Sequence, residues 1–271
     1  MALLWRSLNC GGNSVIKVVF FDVDGTLVSH TQKAVPAGTR AALEALKRSG
    51  IRCVMATGRP AQELPNLPVA DIAFDGYITL NGQTCYDREM NLLASNPIKG
   101  AGMERITKMF REKERPMALV DLRGMYINFE NEFVRRAMAD VSTAVPEIRA
   151  YDGADIFQAV IFAERDTDAA VAAMLPDCQI TRWSSSGIDI LPGDGGKVSG
   201  IRRYLDHHGI APEEAMAFGD GDNDKEMLEF VGIGVAMGNA VDTAKEKADY
   251  ITAHVDDDGV AKALRYFGLI N

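Results

Sequence analysis

Asp22 and Asp24 follow directly on the most apolar run of the chain, at 15–21, and Gly25-Thr26-Leu27 comes next. Residues two apart on an extended chain point to the same side, so the two carboxylates are expected together. Side by side at a buried strand end they repel, unless one is protonated or a cation sits between them. A hard divalent cation with oxygen ligands is one resolution, and magnesium, which keeps several waters, suits phosphate chemistry. The bland alternative is a solvated acidic turn capping the strand. The Gly-Thr pair straight after an apolar strand weighs against it.

Three further groups stand at the ends of apolar runs. Thr57-Gly58-Arg59 offers a hydroxyl and backbone N–H groups of the kind that hold phosphate oxygens, although Thr-Gly is also a common turn. Lys197 follows the loop Leu191-Pro192-Gly193-Asp194-Gly195-Gly196 and opens a helix, where a cation opposes the helix dipole. Pairing with a carboxylate and a phosphate would explain it; a surface lysine is the alternative. Gly219-Asp220-Gly221-Asp222-Asn223-Asp224 packs three acids and an amide into one turn. It superficially resembles a calcium-binding EF-hand loop but lacks the twelfth-position glutamate and a preceding helix.

These groups need a scaffold that brings strand ends together. The run 15–21 is rich in valine and phenylalanine, as a central parallel strand buried on both faces should be. Pro36 opens a helix whose apolar residues Ala41, Ala42, Leu43 and Leu46 share one face, and Gly50 closes it. Strands are expected at 51–56 and 77–80, then late in the chain at 215–218, 233–236 and 250–252. Helices are expected at 197–208, 223–230, from Val241 and at the C-terminus. This alternation predicts an α/β fold, a Rossmann-like parallel sheet with helices on both faces. The middle differs. Strands at 117–120 and 125–129 read as a hairpin around Asp121-Leu122-Arg123-Gly124, and strands at 157–163 and 180–183 read as a second pair. Helices are expected near 103–114, 132–143 and 167–175. The predicted organisation is a catalytic core from 1–82 and 187–271, with 1–14 a loose leader, and an inserted α+β unit over 83–186.

At 271 residues and 47% apolar content, the chain can bury a core of one large or two smaller domains. The net charge of −9, with no long basic run, argues against a nucleic-acid partner. The apolar stretch at the N-terminus is too short for a signal peptide or membrane span. Cys10, Cys53, Cys85 and Cys178 show neither paired spacing nor histidines at ligand distance, which fits a reducing cytoplasm. Cys53 reads as a core residue.

Taken in order, Asp22-x-Asp24-Gly-Thr, Thr57-Gly58-Arg59, Lys197 and Gly219-Asp220-x-x-Asn223-Asp224 resemble the four motifs of the haloacid dehalogenase superfamily. The insertion after Asn81-Gly82 resembles that of its Cof-type, subclass IIB phosphatases. The resemblance runs from Val15 to the stretch 234–240. It implies that Asp22 is a nucleophile forming an aspartyl-phosphate and a magnesium ligand. Asp24 would act as general acid and then base, and lend its backbone carbonyl to the metal. Thr57, Gly58 and Asn223 would hold phosphoryl oxygens, with Arg59 facing the substrate. Lys197 would neutralise charge between Asp22 and the phosphoryl group. Asp220 would complete the metal ligands and Asp224 orient them. The Gly195-Gly196-Lys197 spacing departs from relatives that place glycine nearer the lysine.

The implied activity is a magnesium-dependent phosphatase of small phosphomonoesters, sugar phosphates or related metabolites, acting as a monomer or weak homo-oligomer. A phosphomutase on the same fold is the alternative, and would call for more inserted-unit arginines facing the cleft. A non-catalytic sugar-phosphate binder is a third, disfavoured by the intact acids and lysine. Arg123, Arg149 and Arg182 are candidates for gripping the substrate's far end but read as surface residues. His30, His207, His208 and His254 share no ligand spacing. Asp256-Asp257-Asp258 reads as the acidic start of the last helix, away from the catalytic edge, and Trp183 as core.

Overall fold

A computed structural model describes residues 15–140, 143–182 and 184–271. The leader, Trp183 and the last residues but one of the helix expected at 132–143 lie outside the described residues. The chain opens with β1 (Val18–Phe21), α1 (Ala37–Arg48), β2 (Arg52–Ala56), β3 (Gly76–Thr79), β4 (Thr84–Asp87) and β5 (Leu92–Ser95). Next come α2 (Gly100–Arg111), β6 (Met117–Asp121), β7 (Gly124–Ile127), α3 (Glu132–Asp140), β8 (Gln158–Phe162), α4 (Asp168–Met174), β9 (Cys178–Arg182) and β10 (Gly187–Pro192). It closes with α5 (Lys197–His208), β11 (Ala215–Gly219), α6 (Lys225–Phe230), β12 (Ile233–Ala236), α7 (Asp242–Lys247), β13 (Tyr250–Ile251) and α8 (Gly259–Tyr266).

The larger sheet runs β13-β12-β11-β1-β2-β3-β4-β5. Its first six strands in that order are mutually parallel; β4 and β5 continue it antiparallel. All four residues of β1 are fully buried, as its apolar sequence predicts. Phe20 meets Tyr204 of α5 edge-on, while Phe21 stacks on Phe218 of β11. Alternation sends these neighbours to opposite faces, so β1 needs helices on both. Packing of α1 on α8 and of α5 on α6 supplies them. Cys53 sits in this core, where burial pushes its thiol up to about 12.

The smaller sheet, β7-β6-β8-β10-β9, is wholly antiparallel. The β6–β7 hairpin forms as expected, with Asp121 opposite Gly124. Two expectations are corrected. The segment 157–163 does not pair with 180–183; β10 lies between β8 and β9 and binds both. The expected boundaries at 82/83 and 186/187 also move. β4 and β5 extend the larger sheet to Ser95, and β10 places Ile188 and Ile190 in the core of the smaller one. The chain therefore crosses between units at 96–99 and 193–196, where Asn96 Nδ2 donates to Asp194 Oδ1 at 2.9 Å and ties the two crossings together.

Candidate active site

The carboxyl ends of β1, β2, β3 and β11 converge, which is where open α/β sheets bind ligands. Asp22 is the residue just past β1. Its N–H donates to Phe218 O at 3.0 Å, continuing the ladder, and it is buried. The chain then turns back, with the N–H groups of Leu27 and Val28 donating to Val23 O. Gly25 sits at φ +93°, and a Cβ there would overlap the Asp220 carboxylate. Glycine is required on both counts. Thr26 Oγ1 donates to Asp220 Oδ1 at 2.9 Å, so this turn buttresses the acidic loop after β11.

Lys197 occupies the first position of α5 with a fully buried side chain. Its Nζ lies 2.5 Å from Asp22 Oδ1 and 2.7 Å from Asp224 Oδ1. The other oxygen of Asp224 accepts the N–H groups of Asp220 and Gly221, each at 2.9 Å. One oxygen each from Asp22, Asp220 and Asp224 lies within 4.8 Å of the others. Three carboxylates thus share one ammonium. Burial lowers the lysine's proton affinity, but Asp22 and Asp224 outweigh it and hold the group above its ordinary value. Burial pushes the Asp22 carboxyl well up; Lys197 pulls it down, and Asp224 and Asp220 raise it again. Asp220 is pushed up to about 6, by burial first and then by Asp224.

Those raised carboxyls are the test of whether a cation fits. Asp224 is satisfied by Lys197 and two N–H groups, which leaves Asp22 and Asp220 short of positive charge. An oxygen-only, doubly anionic donor set suits a hard divalent ion. The residues fit magnesium in this respect. The expected metal set of Asp22, Asp24 and Asp220 overlaps the observed cluster in two members. Asp24 was expected to lend its backbone carbonyl; its carboxylate is half-exposed and gripped by Arg59, Nε to Oδ2 at 2.9 Å and Nη2 to Oδ1 at 3.0 Å. Arg59 also reaches Glu63 at 3.2 Å, so it faces acids of the protein.

Thr57 is buried after β2, and its Oγ1 accepts the Arg59 N–H at 3.1 Å, forming a tight loop. Asn223 comes to this loop through a residue that sequence reasoning passed over. Its Nδ2 donates to Asn81 Oδ1 at 3.0 Å, while the Asn81 N–H donates to Thr57 O. The Asn81 side chain also closes over Gly58. Leu80, Asn81 and Gly82 all have positive φ, at 52°, 52° and +91°. The available signal was Asn-Gly at a strand end, a pair that tolerates left-handed backbone. Asn239 was also missed: its Nδ2 donates to Gly25 O at 2.8 Å, and its Oδ1 accepts the Val255 N–H at 2.9 Å. Val255, ahead of the last helix, therefore touches the site's supports. Asp258 does start that helix.

The three inserted-unit arginines are occupied. Arg123 and Arg149 both bind Asp121, at 2.6 and 2.5 Å, and Arg182 binds Asp168 at 2.5 Å.

Residues 19–264 match the family model of the haloacid dehalogenase-like hydrolases, and the chain belongs to that family. Its place there is among the Cof-type, subclass IIB phosphatases. A Bacillus subtilis protein named "Putative phosphatase YkrA" is 34% identical over 258 residues, spanning 94% of this chain and 98% of that one. BT1666 of Bacteroides thetaiotaomicron, described among phosphatases of the superfamily, superposes with a TM-score of 0.86 at 32% identity, covering 98% of this chain and 100% of that one. BT4131, described as a subclass IIB sugar phosphatase, superposes at 0.81 with 33% identity, over 94% and 100% of the two chains. Among the described residues, no helix is long and apolar enough to cross a membrane.

Proposed function

We propose that the chain is a magnesium-dependent phosphatase of small phosphomonoesters, working through an aspartyl-phosphate on Asp22. The observation that carries this reading is the buried Asp22–Lys197–Asp224 cluster with Asp220 beside it, at the carboxyl end of the central strand. Lys197 holds Asp22 Oδ1, which leaves Oδ2 to attack phosphorus as the bond to the leaving oxygen breaks. Asp24, protonated for this step, gives its proton to the departing alkoxide. A water then attacks the aspartyl-phosphate and loses a proton to the Asp24 carboxylate; the Asp22–phosphorus bond breaks and phosphate leaves.

Arg59 must loosen its two-pronged hold on Asp24 before the first step, because the guanidinium occupies both carboxyl oxygens that would reach the leaving oxygen. Glu63 is its waiting partner. Thr57 and Gly58, with Asn223 fixed by Asn81, offer hydroxyl, N–H and amide donors for the phosphoryl oxygens. Asp22, Asp220 and the Asp24 carbonyl would hold magnesium, which when bound supplies electrostatic stabilisation of the transferring phosphoryl group. The inserted unit covers this edge as a cap: Leu80 packs with Val120 and Phe157, and Gln62 Nε2 donates to Leu122 O. Such closure excludes water from the reaction. The ion pairs of Arg123, Arg149 and Arg182 support a phosphatase over a phosphomutase, which needs cations to regrip a bisphosphate.

Hydrolysis of a panel of phosphomonoesters, with magnesium present or chelated and with Asp22→Asn alongside, tests the reading. Turnover that requires both the ion and Asp22 is expected. Full activity without either overturns it.

A further inference from the structure

We propose that Gln158, on the face of the cap sheet turned toward the catalytic core, accepts a hydrogen bond from a hydroxyl on the substrate's alcohol half and so sets specificity. This rests on the phosphatase reading above. The residue's placement follows from strand register. Val120 of β6 stands opposite Gln158 of β8 and, on its other side, opposite Met125 of β7. Directly opposite residues of antiparallel strands share a face. That face meets the core, because Val120 and Phe157 pack on Leu80, whose N–H donates to Arg59 O in the Thr57–Arg59 loop. The row around Gln158 therefore lies over the loop that carries the proposed phosphate donors.

A local irregularity aims the side chain. The Phe157 N–H donates to Val120 O at 2.9 Å, although Gln158 is the residue in register with Val120. Two consecutive residues of one strand thus oppose one of the other, which is a β-bulge. Bulges bend a strand and re-aim its side chains, often beside active sites. Here the bulge turns Phe157 and Gln158 to the same face.

The chemistry of the row defines what it can take. Gln158 is 5% exposed, and its Oε1 is buried without a hydrogen-bond partner among the described residues. Its row neighbours Val120 and Met125 are apolar and cannot donate to it. An unpaired buried amide oxygen lowers stability and persists where another molecule supplies the donor. A hydroxyl is the neutral donor that fits. A second phosphate does not: Asp189 stands on the same face two strand positions from the row, and the inserted-unit arginines named above are held by aspartates. The substrate class is a monophosphate whose alcohol half is uncharged and hydroxylated.

The test uses the full chain with magnesium and measures kcat/KM for a hexose 6-phosphate, a hexose bisphosphate and p-nitrophenyl phosphate. Gln158→Leu and Gln158→Met are compared with the unmodified protein. The ratio of kcat/KM for hexose 6-phosphate to that for p-nitrophenyl phosphate should fall at least about tenfold in both variants. Their melting temperatures should hold or rise, because an apolar group replaces an unpaired amide. A ratio unchanged within about twofold overturns the role of Gln158. So does an equal loss on every ester with a lower melting temperature, the mark of a merely structural residue. A bisphosphate preferred over the monophosphate overturns the uncharged assignment. If the unmodified protein hydrolyses none of the three, the phosphatase reading itself fails; if it hydrolyses p-nitrophenyl phosphate and the ratio does not move, only the inference about Gln158 fails.

Discussion

Lys197 carries the strongest electrostatic burden of any single residue in the site. It is buried at a helix N-terminus, where the dipole opposes it, and among the described residues Asp22 and Asp224 are its ion-pair partners. Removing it leaves two buried carboxylates facing each other with no cation. Lys197→Met should therefore destabilise the magnesium-free protein by about 3–5 kcal/mol, the usual cost of breaking a buried ion pair. Chemical denaturation checks this, and a loss below about 1 kcal/mol would show that the cluster is not the buried triad described. Asp22→Asn should behave in the opposite sense. It removes one of three crowded negative charges, and Lys197 keeps Asp224. Stability should hold while turnover falls by at least about a thousandfold, since no carboxylate remains to attack phosphorus. Steady-state kinetics and a melting curve on the same sample separate the two effects.

At the scale of elements, the turn Leu80-Asn81-Gly82 joins three parts of the machine. Its backbone holds the Thr57–Arg59 loop, its amide holds Asn223, and its leucine enters the cap. A Cβ on Gly82 would overlap Gly196 O, just ahead of Lys197. Gly82→Ala should thus displace the start of α5 and lower both stability and turnover. Asn81→Gly isolates the amide, because glycine accepts the left-handed backbone. It should lower kcat/KM by about tenfold with little change in melting temperature, the size expected for one lost orienting hydrogen bond. A melting temperature that falls with activity would mean that Asn81 is needed for folding and not for orienting Asn223. Legibility in the sequence also divides at this scale. β1, β11 and α5 were readable because they are apolar or periodic, and because each adjoins a chemically unusual residue. β4, β5 and β10 were not: they are flanked by Gly, Asn and Ser, and stabilised by long-range pairing that local pattern does not encode. The acids and lysine proposed as catalytic were legible as motifs at the ends of strands and the start of a helix. Asn81, Asn239 and Gln158 were not, since an amide gains meaning only from the partner that the fold brings to it.

For the molecule as a whole, the site's unbalanced charge should link the proposed magnesium, protons and stability. In the unfolded chain the Asp220 carboxyl titrates near 3.8, whereas in the fold it is pushed up to about 6 by burial and by Asp224. The folded state therefore binds this proton more tightly than the unfolded state does. The stability that this protonation contributes is complete below about pH 4 and is lost as pH rises through about 6, and above that the charged carboxylate is a standing cost on the order of a few kcal/mol. Asp22 is shifted in the same direction and adds to it. A divalent ion reverses the sign, because it binds the deprotonated carboxylates and competes with protons for them. Without magnesium, Asp220 should make the protein lose stability between about pH 4 and pH 6, with Asp22 acting in the same direction. With magnesium in excess, the loss should be offset through mass action on the folded state. Melting temperatures at pH 4.5 and pH 7.5, with magnesium or with chelator, read this directly. The magnesium-induced rise should be several degrees at the higher pH, as expected for about 2–3 kcal/mol in a chain of this size, and small at the lower one. An equal rise at both pH values would mean that the ion binds away from Asp22 and Asp220. No rise at either would separate the acidic cluster from metal binding altogether, leaving Lys197 as the sole countercharge for an attacking Asp22.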